Sequence, residues 1–213
     1  MKIGIFGGTF NPVHNAHLRI AEESLDQFGL SEVIFVPAAD PPHKQRRRQV
    51  SFSHRLAMVR LAIRDNPLFS LSEIEGERSG KSYSIETLRA FRQRYPDYRL
   101  FFIMGSDSFA EIGTWYEYPA IFAIASLIVV GRPGSAGTPL VTALPVAIAD
   151  HFCYDAAANI LTHLSGTTVS YLDGVPLAIS SSSIRELLRR GRSVRYLLPD
   201  PVEHYLKDHA LYA

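Results

Sequence analysis

The sequence predicts an α/β fold built on a mainly parallel sheet, because short apolar runs alternate along the chain with segments of helical periodicity. Four of these runs are apolar almost throughout, as expected for strands that are covered on both faces. The predicted central strands are residues 3–6, 33–36, 100–104 and 127–130. With 213 residues, 46% of them hydrophobic, the chain can bury a sizeable core as one domain over residues 1–213.

A helix is predicted between the first two strands, and it completes a βαβ unit over residues 3–36. Apolar residues at helical spacing would form its buried face, namely Leu18, Ala21, Leu25 and Phe28. Gly29 follows at the position where a left-handed residue commonly ends a helix.

Three further helices are indicated by apolar spacing and by start signals. One is centred on Val59, and another on Leu88 with Ser84 as its N-cap. Asp200 followed by Pro201 is a helix start signal, which predicts a last helix over residues 201–209. Residues 180–213 are therefore expected to form a small C-terminal helical subdomain. The stretch 133–167 has only weak periodicity and predicts no clear element.

Charge and cysteine content exclude several classes of protein. A formal net charge of +1 gives no support to a strongly basic nucleic-acid binder. Cys153 is the only cysteine, so the chain cannot form an internal disulfide, and a reducing compartment fits. No signal peptide and no apolar run of membrane-spanning length is evident. We therefore expect a cytoplasmic protein without a membrane partner.

The stretch IFGGTFNPVHNAH, residues 5–17, contains the first candidate site. Gly7 and Gly8 directly follow the first predicted strand, where they allow a tight turn and a close approach of the backbone to a ligand. Backbone N–H groups and the positive end of the next helix make such a loop suitable for anions. A simple βα turn would also explain the glycine pair, and the spacing matches neither the dinucleotide fingerprint nor the P-loop.

Two histidines follow the glycine loop. His14 and His17 are three positions apart, so they would lie side by side in the first helical turn. An imidazole can donate a hydrogen bond to a phosphate and, when protonated, neutralise its charge. A metal pair would need further ligands that this stretch lacks, so no protein-held metal is predicted; a purely structural role is the alternative.

Two ordered signatures resemble those of the nucleotidylyltransferase superfamily. GGTFNPVHNAH is similar to its N-terminal motif G-G-x-F-[DN]-P-x-H-x-G-H, except that Ala16 replaces the usual second-half glycine. Asn11 is a familiar alternative to aspartate at its position. ISSSSIR, residues 179–185, resembles the second motif Ile-Ser-Ser-Thr-x-Ile-Arg, with Ser182 in place of threonine.

More local motifs resemble the bacterial nicotinate-nucleotide adenylyltransferase family and cover nearly the whole chain. They are PPHK at 41–44, SYSIETL at 82–88, GSDSF at 105–109, the lone Trp115, and GRSVRYLLPDPVEHYL at 191–206. The resemblance implies a Rossmann-like, doubly wound sheet with a small C-terminal helical part. It also implies the reaction of ATP with nicotinate mononucleotide, giving deamido-NAD and pyrophosphate in NAD biosynthesis, with Mg²⁺ accompanying the ATP.

This reaction needs positioning and charge neutralisation more than a general base, because the attacking phosphate oxygen is already an anion. Carried over by the resemblance, the candidate catalytic residues are His14, His17, Lys44 and Arg185. The candidate ATP-binding residues are Gly7, Gly8, Thr9, Phe10, His14, His17, Gly105, Asp107, Ile179, Ser180, Ser181, Ser182 and Arg185. The candidate nicotinate mononucleotide-binding residues are Thr9, Lys44, Ile85, Thr87, Trp115 and Tyr116.

Each candidate has a structural alternative. Lys44 begins KQRRR, which is typical of a solvated loop, and serines before a helix are commonly caps. Asp107 could be a turn residue or a helix cap, and it is expected near either ATP or the mononucleotide. Arg185 in the first turn of a helix opposes the helix dipole unless an anion is its partner, which favours function. Trp115 could stack on a pyridine ring or belong to the core.

The acid group of nicotinate needs its own recognition. No lysine or arginine is placed by the sequence beside Trp115, so backbone N–H groups around residues 85–87 and 115–117 are expected to hold it. Nicotinamide mononucleotide and phosphopantetheine are the rival substrates. A nucleic-acid-binding module using KQRRR with Arg189, Arg190 and Arg192 is the rival from another class. The expected partners are the two nucleotides and no nucleic acid, while a homo-oligomer is left open.

Overall fold

The computed structural model describes residues 1–41, 49–131, 139–172 and 177–212. Its strands are β1 Lys2–Gly8, β2 Glu32–Pro37, β3 Phe69–Leu71, β4 Arg99–Gly105, β5 Ser126–Val130, β6 Phe152–Asp155, β7 Ile160–His163 and β8 Thr168–Leu172. Its α-helices are α1 Asn15–Phe28, α2 Phe52–Ile63, α3 Ser84–Arg94, α4 Ser106–Ala110, α5 Tyr118–Ile124, α6 Ser181–Arg189 and α7 Asp200–Asp208.

One sheet joins these strands in the order β3-β2-β1-β4-β5-β8-β7-β6. The pairs from β3 to β8 are parallel, whereas β6 and β7 form an antiparallel hairpin that extends the edge at β8. The predicted mainly parallel α/β fold is confirmed, as are the predicted central strands, which became β1, β2, β4 and β5. The weakly periodic stretch 133–167 supplies the hairpin, and two short 3₁₀ turns precede it.

Helices cover both faces of the sheet, and the strand side chains alternate between two buried clusters. Ile5 and Phe102 point to the face covered by α3 and α5. Phe6 and Ile103 point to the face covered by α1, α2, α6 and α7. This is the doubly wound arrangement, and the chain changes faces between β1 and β4.

Helix boundaries differ slightly from the sequence predictions. Gly29 ends α1 in the left-handed conformation, at φ 59°, as predicted. However, Tyr83 rather than Ser84 is the N-cap of α3, because the Tyr83 carbonyl accepts the first N–H bonds of that helix. Likewise Pro199 precedes α7, which begins at Asp200. Each predicted cap is therefore the first helical residue.

The C-terminal region contributes to the main core. Ile184 of α6 and Val202 and Leu206 of α7 belong to the same buried cluster as the side chains of α1 and α2. Within the described ranges, no helix combines the length and apolar character that crossing a membrane requires.

Candidate active site

Two adjoining cavities open at the carboxyl ends of the parallel strands. The larger has a volume of about 750 Å³ and lies over the ends of β1, β4 and β5. The smaller, of about 270 Å³, lies over β1, β2 and β4. Both walls include Gly7, Gly8, Thr9, Gly105 and Ser108. The cavities thus meet over the glycine loop, where open parallel sheets commonly bind ligands.

Gly7 and Gly8 present only backbone atoms to the two cavities. Aromatic rings fill the space that side chains at these positions would need. A Cβ on Gly8 would lie 2.9 Å from the Phe10 ring, and one on Gly7 would lie 3.1 Å from the Phe102 ring. Phe10 has a left-handed backbone, at φ 46°, and its buried ring packs 5.5 Å from that of Phe6. A side chain at either position would therefore force one of these rings to move.

His17 lines the larger cavity, and its hydrogen bonding fixes which nitrogen is the donor. The backbone N–H of His14 donates to Nδ1 of His17 at 3.1 Å. A neutral imidazole that accepts at Nδ1 carries its proton at Nε2. The His17 ring is also held by Phe10, at a centroid distance of 5.0 Å. His17 is therefore oriented as an N–H donor.

His14 has a different position from its neighbour. It is the N-cap of α1, is 4% exposed, and is not among the residues that line either cavity. Its ring stacks on His17 with centroids 3.6 Å apart. Burial lowers the pKa of His14 to about 4, so this imidazole is neutral near pH 7. Its ring supports His17 in this structure, and its role towards the phosphates of ATP stays a prediction.

The second signature meets the first at the larger cavity. Ser180 caps α6, since its hydroxyl accepts the N–H of Ser183 at 3.1 Å. Ser181 donates to the Pro12 carbonyl at 2.8 Å, and Arg185 donates to the Asn11 carbonyl at 2.7 Å. The residues of this signature that line the cavity are Ser180, Ser181, Ser182 and Arg185. Ile179 packs against the core cluster and does not line the cavity.

Ala16, the departure from the usual motif, is buried within the protein. It is 4% exposed and does not line either cavity. Its methyl group therefore packs against protein atoms in this structure. Asp107, by contrast, lies in α4 and lines the larger cavity.

Asn11 is held by the C-terminal end of the chain, a contact that the sequence analysis missed. The Tyr212 hydroxyl donates to Asn11 Oδ1 at 2.5 Å, and the Val50 N–H donates to the same atom at 3.4 Å. Burial raises the pKa of Tyr212 well above its ordinary value, so the phenol stays protonated and remains a donor. No sequence pattern could have indicated this pairing, because 201 positions separate the two residues.

Arg55 is a second support that the sequence analysis missed. Its side chain is buried, with the residue 1% exposed, and it donates to the carbonyls of Thr9 at 2.8 Å, Val50 at 3.3 Å and Ala39 at 3.4 Å. Burial lowers the pKa of Arg55, and the nearby Tyr212 and Glu75 oppose that shift. Arg55 thus joins the glycine loop to the chain on either side of Lys44. Lys44 itself, with Arg46 to Arg48, lies outside the described residues.

The smaller cavity has aromatic and apolar walls. They include Tyr83, Phe102, Met104, Trp115 and Tyr116. The Trp115 ring meets Phe102 edge to face at 6.4 Å, and the Tyr83 and Tyr116 rings are 4.7 Å apart. Of the other candidates for this pocket, Thr9 and Thr87 line it, whereas Ile85 is fully buried in the core. The pocket is suited to a flat ring.

A polar network at the same cavity was not predicted. The Thr87 hydroxyl donates to Glu75 Oε1 at 2.8 Å and accepts from Arg78 Nη2 at 2.6 Å. Glu75 lines the cavity and is 8% exposed. Arg78 therefore brings a cation to Thr87, although the sequence had placed no lysine or arginine beside Trp115.

Several of the expected backbone donors are already engaged. The N–H groups of Glu86 and Thr87 donate to the Tyr83 carbonyl at 3.1 and 3.3 Å, and that of Trp115 donates to Ile112 at 2.9 Å. The first two N–H groups of α3, on Ser84 and Ile85, have no acceptor within the helix. Since Ser84 lines the smaller cavity, the positive end of α3 lies at its wall.

The described residues include no group of three or more histidine, cysteine, aspartate or glutamate side chains placed to hold a metal.

The arginines of the rival nucleic-acid surface are partly neutralised. Arg189 and Arg190 both pair with Glu186, at 2.6 and 2.7 Å. This pairing weakens the case for a basic patch on α6.

Comparison with known proteins agrees with this geometry. The cytidylyltransferase-like family profile matches residues 5–187. A protein of Citrifermentans bemidjiense named "Probable nicotinate-nucleotide adenylyltransferase" is 60% identical over 212 residues, covering 100% of this chain and 98% of that protein. A protein of Geobacter sulfurreducens with the same name is 57% identical and covers 100% of this chain and 99% of its own.

Solved structures show the same fold. The Plasmodium falciparum nicotinic acid mononucleotide adenylyltransferase complexed with NaAD matches with a TM-score of 0.74, over 99% of this chain and 97% of that chain, at 19% identity. At that identity the likeness establishes the fold alone. The profile and the full-length relatives confirm the resemblance drawn from the sequence motifs. The chain therefore belongs to the cytidylyltransferase-like family and, within it, to the nicotinate-nucleotide adenylyltransferases.

Proposed function

We propose that this chain transfers the adenylyl group of ATP to nicotinate mononucleotide in NAD biosynthesis. An oxygen of the mononucleotide phosphate attacks the α-phosphorus of ATP, the bond to the oxygen of the β-phosphate breaks, and deamido-NAD and pyrophosphate form. The observation that carries this proposal is the pair of cavities that share the glycine loop as one wall. Two substrates bound there would meet over backbone donors.

The larger cavity suits ATP. It offers the glycine loop, the N–H donor of His17, the start of α6 and the guanidinium of Arg185. Anions are stabilised at such helix starts, and the planar guanidinium is suited to phosphate. Arg185 already donates to Asn11 and to Ser182, at 2.7 and 3.2 Å, so its head group is oriented before a nucleotide arrives.

The smaller cavity suits the pyridine nucleotide. Trp115 and the two tyrosines beside it offer faces on which a pyridine ring can stack. The start of α3 at Ser84 would hold the nicotinate carboxylate through backbone N–H groups and the helix dipole. A carboxamide would present an NH₂ group to these N–H donors. The NH₂ group and the backbone donors facing it would then both lack an acceptor. Nicotinamide mononucleotide is therefore expected to be the poorer substrate.

A magnesium ion is expected to enter with ATP, and the larger cavity fits such an ion. Mg²⁺ usually binds one or two carboxylates together with substrate phosphates. Asp107 is the one carboxylate among the described residues of that cavity. The ion would neutralise charge on the phosphates, and Asp107 would hold it or one of its water molecules.

The location and assembly of the protein remain predictions. The cytoplasmic location expected from the sequence would be tested by fractionation of the source cells. A homo-oligomer would be tested by sedimentation of the purified chain. Neither is needed for the two cavities, whose described walls come from a single chain.

The reaction itself is tested with purified protein, ATP, Mg²⁺ and nicotinate mononucleotide, by following pyrophosphate and deamido-NAD. We expect both products in equal amounts and a higher kcat/KM for nicotinate than for nicotinamide mononucleotide. A preference for the amide would reject the nicotinate assignment. Absence of turnover, together with tight RNA binding, would favour the nucleic-acid-binding alternative.

Replacing His17 by alanine should lower kcat by about two to three orders of magnitude, as for loss of a donor to developing charge. The reason is that Nε2 is the nitrogen oriented to donate. His204→Ala is the matched control, because His204 is exposed on α7 and lines neither cavity. A folded His17→Ala enzyme with near-normal turnover would remove this residue from the catalytic set.

Replacing Trp115 by alanine should raise KM for both pyridine mononucleotides and leave KM for ATP unchanged. Loss of stacking on one ring corresponds to about 1–3 kcal/mol. Steady-state kinetics with each substrate varied in turn would measure this. If the substitution changes only the constants for ATP, Trp115 belongs to the ATP site and the assignment of the cavities is wrong.

Replacing Tyr212 by phenylalanine should raise KM for ATP about fivefold, because the buried Asn11 Oδ1 loses its shorter hydrogen bond. Tyr205→Phe is the matched control. It removes a hydroxyl that contacts His54 Nδ1 at 2.9 Å, in the same region but outside both cavities. Equal effects of the two variants on KM for ATP would show that Tyr212 contributes only to packing.

A further inference from the structure

Only one oxygen of the Glu75 carboxylate has a hydrogen-bond partner among the described residues. Its Oε1 accepts from Thr87 at 2.8 Å, but Oε2 is buried and has no hydrogen-bond partner among the residues that the structure describes. Burying a charged oxygen without a partner is costly, so such an atom calls for a structural or functional explanation. Glu75 is 8% exposed and lines the smaller cavity. Glu75 therefore places a buried carboxylate, one oxygen of which has no partner among the described residues, at the wall of that cavity.

Two arginines lie near the Glu75 carboxylate. Arg78 donates to the same Thr87 hydroxyl that Glu75 accepts from, at 2.6 Å. The buried guanidinium of Arg55 is also close enough for its pKa to be raised by Glu75, against the lowering by burial and alongside the contribution of Tyr212.

The cavity as a whole is apolar and negative. In the described part of its wall there is no lysine, arginine or histidine, and its charged residues are Glu75 and the exposed Glu111. Such a pocket favours a flat aromatic ring that carries a positive charge. The ring of an oxidised pyridine mononucleotide is flat, and it carries a positive charge because its nitrogen is bonded to ribose.

We propose that Glu75 is a specificity-determining residue that recognises the positive charge of the pyridinium ring. The inference rests on the proposed function and deepens it. With the acid group of the substrate at the start of α3 and its ring charge beside Glu75, the pocket complements both ends of the nicotinate zwitterion. Thr87 connects the two subsites, because it lies in α3 and its hydroxyl donates a hydrogen bond to Glu75.

The reduced, dihydropyridine form of the mononucleotide provides the probe. It has almost the same shape as the oxidised form, but its ring is neutral. The wild-type enzyme should bind the oxidised form about tenfold or more tightly, as expected for a charge pair in a partly desolvated site. The measurement compares KM of the oxidised substrate with KM, or the competitive inhibition constant, of the reduced one.

Glu75→Gln removes the charge and keeps an oxygen that can accept from Thr87. It should raise KM for the oxidised mononucleotide about tenfold, change the constant of the reduced form far less, and leave KM for ATP unaltered. Glu73→Gln is the matched control: this residue is close in sequence, is 46% exposed at its side chain, and pairs with Arg60 outside the cavity. It should not change the discrimination between oxidised and reduced forms.

Three outcomes would overturn the proposal. If Glu75→Gln weakens the binding of the oxidised and the reduced mononucleotide equally, Oε2 accepts from a ribose hydroxyl instead. A changed ratio of acid to amide substrate, with no change for the reduced form, would place Glu75 at the acid group. Equal binding of both forms by the wild type would reject charge recognition without any variant. If Glu75→Gln does not fold, Glu75→Asp keeps the charge and should keep the discrimination.

The proposed function and this inference fail separately. A wild-type enzyme that turns over neither nicotinate nor nicotinamide mononucleotide would reject the function. A wild-type enzyme that forms deamido-NAD but does not distinguish oxidised from reduced rings would reject only the role of Glu75.

Discussion

The divergence of the chain at the carboxyl ends of β1 and β4 is the constraint on which the site depends. After β1 the chain crosses to the face covered by α1, and after β4 it crosses to the face covered by α5. A crevice must open where neighbouring parallel strands send their connections to opposite faces. Gly7, Gly8 and Gly105 form its floor, which explains why both cavities share these residues.

Gly7 and Gly8 present only backbone to the cavities, and packing of aromatic rings against them supports that backbone. The rings of Phe10 and Phe102 occupy the space that side chains at Gly8 and Gly7 would need. Around this floor, long-range contacts fix the loop: Arg55 holds the Thr9 carbonyl, and Tyr212 and Arg185 hold Asn11. We propose that the C-terminal region, expected from sequence to form a helical subdomain, is integral to the nucleotide site, since it supplies two of these contacts.

Local sequence patterns made much of the fold and of the candidate site predictable. The buried strands, the glycine loop, the histidine pair and the serine turn are each contiguous, so their chemistry can be recognised from neighbouring residues. Contacts between distant segments left no such signal. Tyr212 is an unremarkable residue near the C-terminus, and Arg55 falls within a predicted helix, where a charge would be expected to face solvent. Arg55 is buried and Tyr212 is half-buried because their partners come from other parts of the chain.

The elements that escaped prediction have physical reasons as well. The hairpin of β6 and β7 lies at the edge of the sheet, where side chains are only alternately covered, so its apolar pattern is weak. Glu75 and Arg78 lie in a charged segment, EIEGER, that is typical of an exposed turn. Only the fold brings Glu75 against Thr87 and the cavity wall.

The two cavities differ in charge, and that difference fits the reaction. The larger presents donors and a cation, Arg185, which suits a polyanion; the smaller presents an apolar wall and a buried carboxylate, which suits a cationic ring. The reacting phosphates are both negative, so they would repel each other where the cavities meet. The backbone of the glycine loop lies at this junction and the start of α6 lies at the wall of the larger cavity, so both would counter that repulsion. A nucleophile that is already anionic then needs no general base, and none is required among the residues at this junction.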